Sequence, residues 1–239
     1  MTAPGSAAQV GVDPAAPRPP IGYRLDLPDE LSSLDLDPAT SDAAIERLLH
    51  ERSAAVPGAA RHRVRARQVL QRMVEEHRSA GVFLAAFLAR TGPSPGEMIG
   101  ASLTLAWRRF AGGIDLDGLV TFFREDDPAP GEDRALREVS RPPLPYGEAV
   151  RVVSRQRVPV PLTSRRQEVV VVQHLVPAPP PAAEWLAVLT LSTPDVAGQA
   201  DFTRLAGRVA ATLEFLGADG RVLAPPGPPS GTIGFVPDR

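Results

Sequence analysis

Four histidines, the adjacent carboxylate pairs Glu75-Glu76 and Asp126-Asp127 and several clustered arginines are residues of this 239-residue chain whose types could carry chemistry. His50, His62, His77 and His174 fit no metal-ligand spacing. His50-Glu51 is followed by Arg52 and Ser53, so HExxH is not completed. His77 falls beside an apolar helical stripe and His174 inside an apolar run, positions where a hydrogen-bonded structural histidine is the ordinary case. Glu75-Glu76 and Asp126-Asp127 are sequence neighbours. On a helix such neighbours point about 100° apart, and the second pair sits among turn formers. Neither has the facing geometry of a hydrolase dyad. Gly100-Ala101-Ser102 lacks the second glycine of a nucleophile elbow, and no dinucleotide or phosphate-loop pattern occurs. A catalytic triad assembled from distant residues stays open.

The arginines are the best polar surface candidates. Arg61 and Arg65 belong to a basic run, Arg61 to Arg67, at the start of an expected helix. Arg151, Arg155 and Arg157 alternate along one side of an expected strand with Val153 between them. A planar guanidinium pairs bidentately with carboxylate or phosphate, so these five residues are the expected contacts for an anionic patch on a partner. The structural alternative is a solvated face and an edge strand guarded by charge.

Composition narrows the classes. Without cysteine there is no disulfide, thiolate metal site or cysteine nucleophile. Without lysine there is no Schiff base and no phosphate-loop lysine. No cofactor is expected. A net charge of −2 and 5% aromatic residues argue against nucleic acid, which is bound through positive charge and stacking. No stretch approaches the ~20 apolar residues of a membrane span, and the N-terminal residues do not follow the secretory-signal pattern. The expectation is a soluble, cytoplasmic protein.

The elements that must position these residues are legible in the periodicity. Residues 1–20 are rich in Pro, Ala and Gly and are expected to be disordered. A single α/β domain is expected over 21–216, with a disordered Pro/Gly-rich tail over 217–239. GYRLDL at 22–27 alternates as a strand does. A helix is expected from Asp37 or Ser41 to Pro57, then a second from about Ala59 to Arg78. Gly81–Arg90 and Met98–Trp107 read as a hairpin, although the alanines of the first run also suit a helix. A helix is expected over Ile114–Phe123, and strands over Leu136–Ser140, Glu148–Val158 and Glu168–Val176. Trp185–Ser192 is apolar in both alternating sets and is expected at the centre of a covered sheet. After it, Phe202, Leu205, Val209, Leu213 and Leu216 fall on one helical stripe, with Thr193 or Asp195 as cap and Gly217 at the left-handed end position. The fold class is therefore α+β: a mainly antiparallel sheet with helices packed on its faces.

The early DAAIERLL helix, the arginine-rich second helix, the hairpin, the VVVVQHLV strand and above all WLAVLTLSTPD…F…L…RVAATLEF resemble a group of actinobacterial proteins. Their closing strand–STP–helix is similar to the PsbP-like α/β sandwich of photosystem extrinsic proteins and of a Ran-binding nuclear transport factor. Bacterial relatives of that fold include the Eag chaperones, which shield type VI secretion effectors. The resemblance spans roughly residues 21–216 and brings no catalytic motif, so no functional residue is carried over. It implies a protein partner, with a secretion-system component as the example the Eag relatives supply. The expected function is a non-enzymatic protein-interaction module, adaptor or chaperone-like. The alternative is a small-molecule-binding protein or enzyme with a site between the sheet and a helix.

Overall fold

Runs of aliphatic and β-branched residues build the centre of this protein, because such side chains fill a pleated, covered surface. The computed structural model describes residues 21–37, 39–55, 63–91, 98–110, 114–125, 136–160, 164–180 and 182–224. Residues 1–20 and 225–239, most of the two expected tails, lie outside them. The first half of the chain contains β1 (Gly22–Arg24), β2 (Ser32–Leu34), α1 (Ser41–Ala55), α2 (Arg63–Ser79), β3 (Val82–Thr91), β4 (Met98–Arg109) and α3 (Leu116–Glu125). Then follow β5 (Glu138–Ser140), β6 (Pro143–Leu144), β7 (Gly147–Glu148), β8 (Val150–Pro159), β9 (Arg166–Pro177), β10 (Trp185–Thr193), α4 (Gln199–Ala210) and β11 (Glu214–Leu216).

Seven strands form one antiparallel sheet in the order β2-β3-β4-β10-β9-β8-β5. With helices packed against it, this is an α+β fold. The doubly apolar β10 takes the central place, as its two-sided pattern requires. Gly81 sits at a φ of 69° at the turn from α2 into β3, a conformation that favours glycine.

Alternation and register sort the side chains onto two faces. Trp185, Ala187, Leu189 and Leu191 of β10 share a face with Leu103 and Leu105 of β4 and with Val170, Val172 and Val176 of β9. α4 covers this face with Phe202, Leu205, Ala206 and Val209. The opposite face is covered in two places. α1 and α2 lie over β2 and β3, burying Leu34, Ile45, Leu49, Val74 and Ala85 together. α3 sets Leu119, Val120 and Phe123 on Val150, Val152, Leu175 and Leu186. Arg141 ties the start of α3 to β7 through Asp117 and Glu148.

The closing segment departs from the expected single long helix. α4 stops at Ala210, the Thr212 hydroxyl donates to Val209 O at 2.8 Å, and Leu213 and Leu216 lie beyond the helix. Glu214–Leu216 instead alternates as β11 and pairs antiparallel with β1. This orientation sends Phe215 into an aromatic group with Tyr146 and Trp107, and Trp107 stacks on Phe83 at 5.5 Å. Leu213 remains buried, now in a turn. Phe202, Leu205, Val209, Leu213 and Phe215 together contribute on the order of 10 kcal/mol of burial, before chain entropy is counted.

The expected caps are corrected too. Gly198 precedes the first helical residue, with the Asp195 carboxylate accepting from its N–H at 2.9 Å. Thr193 instead donates to Gly100 O at 2.8 Å. Gly217 does not end the helix in a left-handed conformation; the positive φ belongs to Gly220, in the turn after β11. The packed chain also continues past the expected boundary at 216. Val222 bridges back to Leu216, the Leu223 N–H donates to Phe215 O at 2.8 Å, and the Tyr146 hydroxyl donates to Ala224 O at 3.1 Å.

Candidate functional site

The arginine-bearing strand is β8. Arg151, Arg155 and Arg157 fall on the α4 face of the sheet, with Val153 between them pointing into the core. Neighbouring side chains engage two of them. Arg151 Nε donates to Ser140 Oγ at 3.1 Å; Arg155 Nε donates to Gln199 Oε1 at 2.9 Å, and its guanidinium lies 3.8 Å from Glu168. Arg157 is exposed and stands opposite Glu168 in the β8–β9 register. Arg61 lies outside the described residues, and Arg65 is placed on α2. Because α2 covers the other face of the sheet, the fold does not bring the two arginine groups together.

His50 is exposed on α1, whereas His62 and the Asp126-Asp127 pair lie outside the described residues. Glu75 and Glu76 are both exposed on α2, and Glu75 pairs with Arg78 at 3.4 Å. Among the described residues no cluster of His and carboxylate groups has the make-up of a metal site. His174 is buried on β9, and burial followed by the charge of Arg151 pulls its pKa down to about 4. Burial also lowers the pKa of His77.

A concavity lies elsewhere, where the helix pair α1–α2 spans the sheet. Leu48 and Leu49 of α1 and Ala66, Val69, Leu70 and Met73 of α2 form its roof. Phe87 of β3, Gly100 and Ser102 of β4, Ser192 of β10 and Val169 of β9 form its floor. Its volume is about 650 Å³, within the range of small-molecule pockets. Helical periodicity produces the roof: residues 66, 69, 70 and 73 follow the i, i+3, i+4, i+7 spacing of one face. The floor follows from register. Phe87, Ser102, Ser192, Val171 and Ser154 stand in one row across five strands, all on this face. None of the described residues lining the cavity is charged, although arginine is abundant in the chain. Among the described residues lining the cavity there is neither histidine nor carboxylate beside Ser102.

The sequence contained the signals for this floor. Gly100, Ser102 and Thr104 make one alternating set of β4 small or polar, and Thr190 and Ser192 do the same in β10. That the two sets lie side by side is a matter of strand pairing. Compared with known proteins, the chain matches no family model and no curated sequence.

Proposed function

We propose that this protein is a non-enzymatic binding module that holds an apolar small molecule between the α1–α2 pair and the sheet. The observation that carries the reading is the cavity of about 650 Å³ with an aliphatic roof and an uncharged floor. A gap of this kind leaves apolar side chains without packing partners, so a ligand that fills it gains both burial and dispersion contacts. The resemblance to the PsbP-like sandwich and a cytoplasmic location belong to the same proposal. No helix among the described residues is long and apolar enough to cross a membrane.

Saturable binding of a neutral apolar dye such as Nile red, with and without Gly100→Val, tests the reading. Among the described residues a Cβ at Gly100 would meet only Leu88 O, at 3.8 Å. Valine therefore fits the strand while its side chain projects into the cavity. Wild-type protein should bind one dye and the variant should bind it at least tenfold more weakly at a melting temperature no lower than that of the wild type. Dye binding that is absent, or untouched by the plug, defeats the reading.

One observation favours a second reading, the adaptor or chaperone-like role. β5 pairs with β8 only over Arg151–Val153, so the outer edge of β8 from Ser154 to Pro159 has no strand neighbour among the described residues. An extended partner segment bearing acids could add to this edge beside Arg155 and Arg157. Partner capture by the full chain that survives Arg155→Glu with Arg157→Glu would rule out this edge.

A further inference from the structure

We infer that the occupant of the cavity is an electrically neutral amphiphile. Its apolar body would pack under Leu49, Leu70 and Met73, and an uncharged hydrogen-bonding group would reach the paired hydroxyls of Ser102 and Ser192. The inference rests on the cavity reading above and specifies the chemistry of its ligand. Ser102 and Ser192 are direct cross-strand partners on the floor, half-buried, and among the described residues neither side-chain hydroxyl has a hydrogen-bond partner. Water satisfies such groups while the cavity is open. A pure hydrocarbon that displaced this water would strand both hydroxyls, which is costly in an apolar setting.

The same lining excludes charge. A carboxylate or ammonium drawn under the aliphatic roof would lose its hydration with no counter-charge among the described lining residues. Hydroxyls both donate and accept, so an alcohol, ester, ketone or amide satisfies the pair equally well. Gln167, at one side of the same cavity, adds a further uncharged donor and acceptor.

Calorimetric titration of the full chain with 1-decanol, decanoate and decylammonium at pH 8 tests the inference, since the three share one alkyl body. Decanol should bind at least tenfold more tightly than either ion. Ser102→Ala combined with Ser192→Ala should weaken decanol about tenfold and leave the ions no weaker, while Gly100→Val should abolish binding of all three. If an ion binds as tightly as decanol in a Gly100→Val-sensitive manner, the cavity is a site but the neutral-ligand inference is overturned. If none of the three binds while Nile red still binds in a Gly100→Val-sensitive manner, the neutral-amphiphile inference falls alone; if the dye fails as well, the cavity reading falls with it. A double alanine variant that binds decanol at wild-type strength removes the hydroxyls from the recognition.

Discussion

His174 on β9 and Arg151 on β8 stand opposite each other in the antiparallel register, the imidazole 1% exposed and its Nδ1 without a partner among the described residues. Such a ring is held neutral: burial, then the neighbouring guanidinium, takes its pKa from 6.5 to about 4. The unfolded chain therefore takes up this proton at a higher pH than the folded chain. Stability is unaffected by the group above about pH 6.5 and falls as pH drops from there toward 4. The loss approaches about 3 kcal/mol. His77 is displaced in the same direction by burial. Urea unfolding at intervals from pH 7 to 4.5 should show this slope, and His174→Leu should remove most of it. A His174→Leu protein with the wild-type slope would assign the effect elsewhere.

Leu213 follows the turn after α4, Phe215 is the middle residue of β11, and both are buried in the main core. Leu213→Asp places an unpaired charge there and should destabilise by roughly 3–5 kcal/mol. Phe215→Ala removes the ring that contacts Tyr146 and Trp107, and a loss of about 3–5 kcal/mol is expected. Denaturant midpoints at pH 7, followed by tryptophan fluorescence, give both values.

Chains ending at Ala224 and at Gly217 should differ in stability. The shorter one loses the Val222–Leu216 bridge, the hydrogen bond from the Leu223 N–H and the Tyr146–Ala224 bond. Each net hydrogen bond contributes about 1 kcal/mol, and Leu223 adds partial burial against the core. A total difference of roughly 2–3 kcal/mol should appear as a melting temperature lower by several degrees in the shorter chain. Equal melting temperatures would show that the segment only rests on the surface.

Arg108 is half-buried on β4, where its guanidinium donates to Ala80 O at 3.1 Å and to Trp107 O at 3.0 Å. It closes the end of α2 with both a hydrogen bond and a positive charge. Arg108→Ala should cost about 1–2 kcal/mol, with amide exchange rising first in the last turn of α2. Uniform exchange along the helix would argue against this anchoring.

Filling the cavity should separate stability from binding. Glycine inside a strand lowers stability through its backbone freedom, and Gly100 has room for a side chain. Gly100→Val should hold or raise stability, by up to about 1 kcal/mol, while binding is lost. A destabilised variant would mean that the roof cannot accommodate the methyl groups.

Local pattern carried far in this chain. The two-sided apolarity of Trp185–Ser192 was sufficient to place β10 at the sheet centre, and Gly81–Arg90 and Met98–Trp107 were legible as paired strands despite the alanines that suit a helix. The stripe from Phe202 to Leu216 shows where such pattern fails. Leu213 and Leu216 obey the helical period, but Phe215 gains a core site only if the chain turns after Ala210 and pairs with β1. A contact so distant in sequence outweighs one more helical turn, and periodicity has no access to it.

The residue types alone established the antiparallel α+β class, the central strand, the absence of cysteine and lysine chemistry, and the alternation of the β8 arginines. Tertiary structure alone decided that Arg151 and Arg155 are engaged within the fold, that α2 lies across the sheet from them, and that Ser102 and Ser192 share the floor of a cavity whose described lining is uncharged. The physical reason is the same throughout. Alternation fixes which side of its own strand a residue occupies, whereas a site is made by register between strands and by the helix that lies over them, and both are settled by packing across the whole sheet.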